Sequence, residues 1–256
     1  MIPVIELFVK CSLYDKEDFG SCPINQTWFM AFYVLVENKL IDLRVTPVNM
    51  EMQCESYLQL NVSRRLPVAK VESGTSTSGK DLTNLIAETT DDLEKLIMIF
   101  NCPQLTLPIY DPEVAKAENL AADILKSLNI LLKTKNEKPL ITILTRIDIF
   151  LGSKSTKLLM SDEVTYGDCI LMPRLQHVRV AGRELASFDI PFNLKHLIRY
   201  IKHMYLEKVF EVTCSKDRDI IAQHEEKVST GKNRRSLLTK DDSKLLTIDI
   251  TDPDIQ

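Results

Sequence analysis

The sequence predicts an α/β domain followed by an all-α domain, and three observations support this. Short runs of alternating apolar residues, typical of strands, occur in the first 100 residues. Beyond them the periodicity is almost entirely helical, and three prolines between residues 101 and 112 separate the two patterns. The predicted organisation is therefore an α/β domain, a linker, a helical domain and a polar, disordered tail, with the bounds 1–100, 101–113, 114–226 and 227–256.

The elements of the first domain are predicted in the order β-α-β-α-β-β-α. An apolar helix begins at Pro23, where a proline suits the first turn because its missing N–H costs no hydrogen bond. Further helices are predicted over Glu51–Leu60 and Asp91–Phe100. This order is the thioredoxin pattern. The predicted strands are Val4–Val9, Ile41–Val48, Leu66–Val71 and Leu82–Ile86.

The second domain is predicted from apolar residues that recur every three or four positions. They include Leu120, Ile124, Leu128 and Leu131, and then Ile141, Leu144, Ile147 and Leu151. Thr165 is followed three residues later by Asp168, which is the pattern of a capping box at a helix start. We interpret this pair as structural and not catalytic.

Composition excludes several classes of function. The net charge of −4 leaves no basic footprint for nucleic acid, and 7 glycines leave little room for phosphate-binding loops. The first ten residues lack the basic start and cleavage site of a signal peptide, so we expect a cytoplasmic protein with reduced thiols. His196 and His203 lack partners at ligand spacing, so no metal site is predicted. None of the six cysteines forms a C-x-x-C pair: Cys11, Cys22, Cys54, Cys102, Cys169 and Cys214.

Cys22 is the candidate catalytic residue because it directly precedes the helix that begins at Pro23. Unpaired N–H groups and the helix dipole at such a position favour the thiolate, which is the reactive form of cysteine. The alternative is a buried structural cysteine. Asn25 stands where a dithiol enzyme has its second cysteine, so any redox chemistry would use a single thiol, with glutathione resolving the mixed disulfide.

Pro67 follows Leu66 at the start of the third predicted strand, where thioredoxin-like folds place a cis proline. That arrangement leaves the preceding backbone N–H and C=O available to a peptide such as glutathione. The prediction of a cis bond rests on the fold, since an X–Pro bond is cis only about 5–6% of the time.

Two stretches of sequence resemble the chloride intracellular channel family, particularly its invertebrate branch. The first comprises Ile5–Lys10 and Cys22-Pro23, and the second comprises Asp168-Cys169 and Leu171–Val180. The resemblance extends to about Ile221. Omega-like glutathione transferases share the Cys-Pro start and the fold, but are not expected to carry the run from Met172 to Leu175.

The resemblance implies a glutathione transferase-like fold and a glutaredoxin-like form with weak glutathione affinity. It also implies a membrane-associated form that conducts chloride, with membrane lipid as a partner and a homo-oligomer in the membrane. Vertebrate members usually have Phe and then Ser or Cys where this chain has Ile24 and Asn25, which puts efficient reductase activity in doubt. The implied glutathione-binding residues are Cys22, Pro23, Leu66, Pro67, Thr89 and Thr90, although a plain helix cap explains Thr89 and Thr90 equally well.

The segment implied to enter membranes is too short to cross one by itself. The run from Trp28 to Val36 has nine uncharged residues, whereas a spanning helix needs about 20. Extending it to Val48 admits four charged residues, so entry would require refolding and oligomers that turn these charges to a lumen. The apolar residues of the segment are Trp28, Phe29, Met30, Phe32, Tyr33, Leu35 and Val36.

Three hypotheses about function therefore stay open: a chloride-conducting family member, a glutathione-dependent thiol oxidoreductase, and a non-catalytic scaffold. A basic cluster in the tail fits a nuclear import signal, but a solvated tail is the favoured interpretation. It comprises Lys232, Arg234 and Arg235.

Overall fold

The computed structural model describes residues 2–63, 65–107, 109–228 and 242–248. The chain divides into two compact units, Met1–Leu107 and Pro108–Gln256. This division falls inside the stretch predicted as a linker, which also contains a short 3-10 helix at Pro103–Leu105. The elements of the first unit are β1 (Val4–Lys10), α1 (Pro23–Glu37), β2 (Asp42–Val48), α2 (Glu55–Leu58), β3 (Val68–Ser73), β4 (Ile86–Ala87) and α3 (Thr90–Met98).

The sheet of the first unit has the strand order β2-β1-β3-β4. β1 pairs in parallel with β2 and antiparallel with β3, and β4 pairs antiparallel with β3. Since β1 lies between two neighbours, five consecutive residues from Ile5 to Val9 are buried. Four of the five are apolar, as a strand covered on both faces requires. The fifth, Glu6, is a buried carboxylate that accepts hydrogen bonds from Arg44 Nη2 at 3.0 Å and from Thr46 Oγ1.

Two elements of the first unit differ from the sequence prediction. The strand predicted at Leu82–Ile86 is reduced to Ile86–Ala87, because Asn84 has a positive φ of 65° and Leu85 N–H bonds Leu82 O at 3.0 Å in a turn. The helix predicted at Glu51–Leu60 extends only from Glu55 to Leu58.

The second unit is helical, as predicted. Its helices are α4 (Pro112–Ala122), α5 (Ile124–Thr134), α6 (Lys138–Gly152), α7 (Tyr166–Ala186), α8 (Lys195–Leu206), α9 (Lys208–Thr213) and α10 (Asp217–Val228). α7 is buried along most of its length, including Asp168, Gln176 and His177. α4, α5 and α10 pack against α7, whereas α6 packs against α8.

The prediction of a disordered tail over 227–256 is wrong for residues 242–248, and α10 continues to Val228. Leu245 packs against Val180, Ala181 and Ile220 in the second unit. Leu245, Leu246 and Ile248 make a short apolar stretch in this tail, and Leu245 gives the segment an apolar anchor that the average composition of the tail concealed. The basic cluster at Lys232, Arg234 and Arg235 lies outside the described residues.

Candidate functional site

Cys22 caps the N-terminus of α1 with an extended backbone, at φ −63° and ψ 116°. Its carbonyl accepts the first helical hydrogen bond, from Gln26 N–H at 3.0 Å. Pro23 occupies the first helical turn, and the Cys22 side chain makes no capping hydrogen bond. Cys22 is half-buried, and its side chain lies at a helix start, where the backbone N–H groups have no intrahelical partner.

Asn25 is oriented toward this sulfur by the backbone of β1. Its Oδ1 accepts a hydrogen bond of 2.6 Å from Lys10 N–H, so its Nδ2 is the atom that faces Cys22 Sγ, at 3.4 Å. Asn25 is only 4% exposed, so this orientation is held in a packed environment. From the sequence we interpreted Asn25 only as the absence of a second cysteine. Asn25 stands three residues after the helix cap Cys22, and this spacing is the feature of the sequence that could have predicted the contact.

The loop before Cys22 folds back onto the end of β1. Cys11 pairs with Phe19 in an isolated bridge, and Gly20 N–H bonds Lys10 O at 2.7 Å. A Cβ atom on Gly20 would lie 2.4 Å from Cys11 O, so only glycine permits this approach. Because the loop returns so closely to the strand, Cys22 lies at the carboxyl end of β1.

Strand register brings the other predicted site residues to the same edge of the sheet. Val68, the first residue of β3, pairs with Phe8 near the end of β1. Ala69 pairs with Ala87, the last residue of β4, which is followed closely by α3 at Thr90. The starts of α1, β3 and α3 thus share one edge. Pro67 is buried, Leu66 is half-buried, and the bond between them is cis, as predicted.

Thr89 and Asp92 form a reciprocal capping box at the start of α3. Asp92 N–H bonds Thr89 Oγ1 at 3.2 Å, and Asp92 Oδ2 accepts from Thr89 N–H at 3.2 Å and from Thr89 Oγ1 at 2.7 Å. The hydrogen bond from the Thr89 hydroxyl lowers the pKa of the Asp92 carboxyl. Thr90 is the exposed first residue of α3. The helix-cap interpretation of Thr89 thus has a geometric basis.

Thr165 and Asp168 form a second capping box, at the start of α7, and this one is buried. Asp168 Oδ2 accepts from Thr165 N–H at 2.8 Å and from Thr165 Oγ1 at 2.7 Å, while Oδ1 accepts from Leu159 N–H at 3.1 Å. Burial raises the pKa of Asp168, although the hydrogen bonds from Thr165 oppose this shift. The box belongs to the helical unit.

The apolar residues of the segment implied to enter membranes form part of the core of the first unit. Trp28, Met30, Phe32 and Leu35 are at most 2% exposed and Phe29 is 7% exposed, whereas Tyr33 and Val36 are half-buried. Within the residues that the structure describes, no helix has both the length and the apolar character needed to cross a bilayer. In the same residues, no three His, Cys, Asp or Glu side chains are grouped to hold a metal ion.

A thioredoxin-like unit with a cysteine at the start of its first helix, joined to an all-helical unit, defines the glutathione transferase-like class of fold. Comparison with solved structures shows the same fold. Glutathione transferase Omega 1C from Trametes versicolor matches with a TM-score of 0.61 and 15% identity, over 88% of this chain and 96% of that one. The C. elegans CLIC homologue EXC-4 matches with a TM-score of 0.79 and 26% identity, over 97% of this chain and 95% of that one.

Sequence comparison identifies the family. Residues 3–93 match the profile of the CLIC-like N-terminal domain. The Drosophila melanogaster protein named chloride intracellular channel Clic is 32% identical over 255 residues, which cover 98% of this chain and 93% of that protein. The chain therefore belongs to the chloride intracellular channel family, which confirms the resemblance drawn from the sequence.

Proposed function

We propose that the protein has a cytoplasmic form and a membrane-associated form, and that the second conducts chloride as a homo-oligomer. One observation carries the proposal: the similarity to the Drosophila chloride intracellular channel extends over 98% of the chain and so includes both units. The membrane-entering element in this proposal is α1, the most apolar helix of the first unit.

The dimensions of α1 determine what the membrane form requires. From Pro23 to Val36 the helix carries no charged side chain, and these residues would extend about 21 Å at 1.5 Å per residue. The hydrocarbon core of a bilayer is about 30 Å thick, so α1 alone falls short. Entry therefore needs further residues of the first unit, and the charges of Glu37, Lys39, Asp42 and Arg44 would then face a lumen shared between copies.

Chloride efflux from vesicles tests this proposal. Purified full-length protein is added to vesicles that contain chloride and an entrapped anionic dye in a chloride-free buffer. We expect protein-dependent chloride release with the dye retained, because a pore passes small ions whereas a damaged bilayer passes both. Release of chloride no faster than from protein-free vesicles, or release of dye at the same rate, would contradict the proposal.

A second candidate function is thiol–disulfide exchange with glutathione, and the contact from Asn25 Nδ2 to Cys22 Sγ favours it. A positive N–H dipole facing the sulfur stabilises a thiolate. In the proposed step the Cys22 thiolate attacks the glutathione sulfur of a mixed disulfide between glutathione and a substrate thiol, which forms a Cys22–glutathione disulfide and releases the substrate thiolate. A free glutathione thiolate then attacks the Cys22–glutathione disulfide, which regenerates the Cys22 thiolate and leaves oxidised glutathione as the product. Pro23, Leu66, Pro67, Thr89 and Thr90 are the proposed residues that hold the peptide, with weak affinity.

Intact-mass measurement and peptide mapping after incubation with oxidised glutathione test the second function. We expect a single glutathionyl adduct on Cys22 in the full-length protein. Cys54→Ser should keep this adduct and Cys22→Ser should lose it. An adduct that persists in Cys22→Ser, or that maps to Cys54, would remove Cys22 from the proposed chemistry.

A further inference from the structure

Residues 242–248, here called the C-terminal segment, lie against the helical unit and are held through their main chain. Gln176 Nε2 donates to Leu245 O at 2.9 Å, and Arg179 Nη2 donates to Thr247 O at 2.9 Å. The two donors are three residues apart on α7, and the two acceptors are two residues apart on the segment. One face of a helix thus contacts the carbonyls along one side of an irregular chain segment.

The two donors are fixed by a buried network. Arg179 can only donate, and its Nη1 donates to the Tyr205 hydroxyl, which in turn donates to Gln176 Oε1 at 2.6 Å. This order leaves Gln176 Nε2 as the atom that faces the segment. Gln176 is 0% exposed and Arg179 is 8% exposed, so both need an acceptor wherever water is excluded. The surface is therefore built to receive main-chain carbonyls.

Two side chains of the segment make further contacts. Leu245 packs against the apolar cluster of Val180, Ala181 and Ile220. Three residues earlier, the carboxylate of Asp242 pairs with Arg218 at 2.6 Å and with Lys216 at 3.3 Å. The recognised features are thus an acidic residue, a leucine at the third position after it, and backbone carbonyls around that leucine.

The groove continues beside the segment as a small cavity of about 130 Å³. The lining includes Leu245, Thr247 and Ile248 of the segment, and also Phe192, which is 66% exposed. Arg183 and Asp189, also in the lining, pair with each other at 2.8 Å. The surface that holds the segment is therefore continuous with an accessible recess that has both polar and apolar lining residues.

We propose that this groove binds extended peptide segments of other proteins that carry an acidic residue three positions before a leucine. The C-terminal segment is its intramolecular occupant. Three hydrogen bonds from the groove go to main-chain carbonyls, the third from Asp217 N–H to Ser243 O at 3.0 Å. A peptide with the same spacing can therefore satisfy them without the rest of the tail. The tethered segment competes with such a peptide because its effective concentration at the groove is high. Release of the segment would therefore control whether other peptides bind.

Fluorescence anisotropy with a labelled peptide of the sequence 242–248 tests the proposal in the full-length protein. In Leu245→Asp the tethered segment loses its apolar anchor, and in Asp242→Lys it meets Arg218 with a like charge. We expect both variants to bind the wild-type peptide at least tenfold more tightly than the unmodified protein does. Circular dichroism verifies that each variant is folded, so failure of one variant to fold leaves the other as the test.

A matched peptide with aspartate in place of its leucine is the control, and it should bind at least tenfold more weakly than the wild-type peptide. Two results would overturn the proposal: no binding of the wild-type peptide by a folded variant, or equal binding of the two peptides. Dimerisation of the unmodified protein with rising concentration, without peptide binding, would assign the groove to a second copy and overturn it as well.

Discussion

Replacing Asp168 with alanine should destabilise the helical unit strongly. In the structure this fully buried carboxylate accepts hydrogen bonds from Thr165 N–H, Thr165 Oγ1 and Leu159 N–H. Alanine leaves two backbone N–H groups without their acceptor at a site from which solvent is excluded. The chain also offers an internal control, since Thr89 and Asp92 form the same box at an exposed helix start.

The magnitude follows from the two buried donors. Each buried donor left unsatisfied costs about 1–3 kcal/mol, which gives about 2–6 kcal/mol for both. Burial raises the pKa of Asp168, which shows that the carboxylate carries a desolvation penalty, and alanine removes that penalty. We therefore expect a net loss of about 2–4 kcal/mol, above the usual range of about 0.5–2 kcal/mol for a helix cap.

Urea unfolding followed by circular dichroism at a helical wavelength measures this loss, since most of the helices belong to the second unit. With a slope of about 2 kcal/mol per molar urea, the midpoint should fall by about 1–2 M. Asp92→Ala should shift the midpoint much less, because water replaces the lost acceptor. Equal shifts in the two variants, or an unchanged midpoint in Asp168→Ala, would refute the argument from burial.

Three further predictions concern pH dependence and thiol reactivity. The folded-state pKa of Asp168 is raised, so the stability difference between wild type and Asp168→Ala should be largest below the unfolded-state pKa and should shrink as pH rises through the folded-state pKa. Urea midpoints across this pH range measure the difference, and a difference that grows with pH would contradict the raised pKa. Cys22 should be alkylated faster than Cys54 at mildly acidic pH. Both are half-buried helix caps, but α1 has 15 residues and α2 has 4, so the helix dipole acts more strongly on Cys22. Peptide mapping measures the two rates, and faster labelling of Cys54 would remove Cys22 as the reactive thiol. Asn25→Asp keeps the acceptor for Lys10 N–H but puts a carboxylate beside the sulfur, so Cys22 alkylation should slow at least tenfold; an unchanged rate would show that Asn25 has no influence on the thiol.

Much of the site could be predicted from local sequence. The helix cap at Cys22 followed from Pro23 and the apolar run behind it, because the chemistry of a helix start is local. The buried box of Thr165 and Asp168 followed from spacing alone. These features depend on contacts between residues a few positions apart.

The parts that could not be predicted depend on distant contacts. The orientation of Asn25 is set by Lys10 N–H, which lies 15 residues earlier in the chain. The docking of the C-terminal segment is set by Gln176, which lies 69 residues before Leu245. The shortening of β4 depends on the positive φ of Asn84, and an asparagine adopts that conformation only in some of its contexts.

In the proposed membrane form the first unit rearranges so that α1 enters the bilayer, and the only tryptophan of the chain reports on this change directly. Trp28 is 2% exposed in the fold, so an aqueous quencher should reach it poorly before vesicles are added. With vesicles whose acyl chains carry bromine, we predict strong quenching of Trp28 fluorescence, while protease still cleaves the bound protein between Leu120 and Tyr205. Vesicle-bound protein whose Trp28 is not quenched by the brominated lipid, with the stretch from Leu120 to Tyr205 protected from protease, would contradict the account.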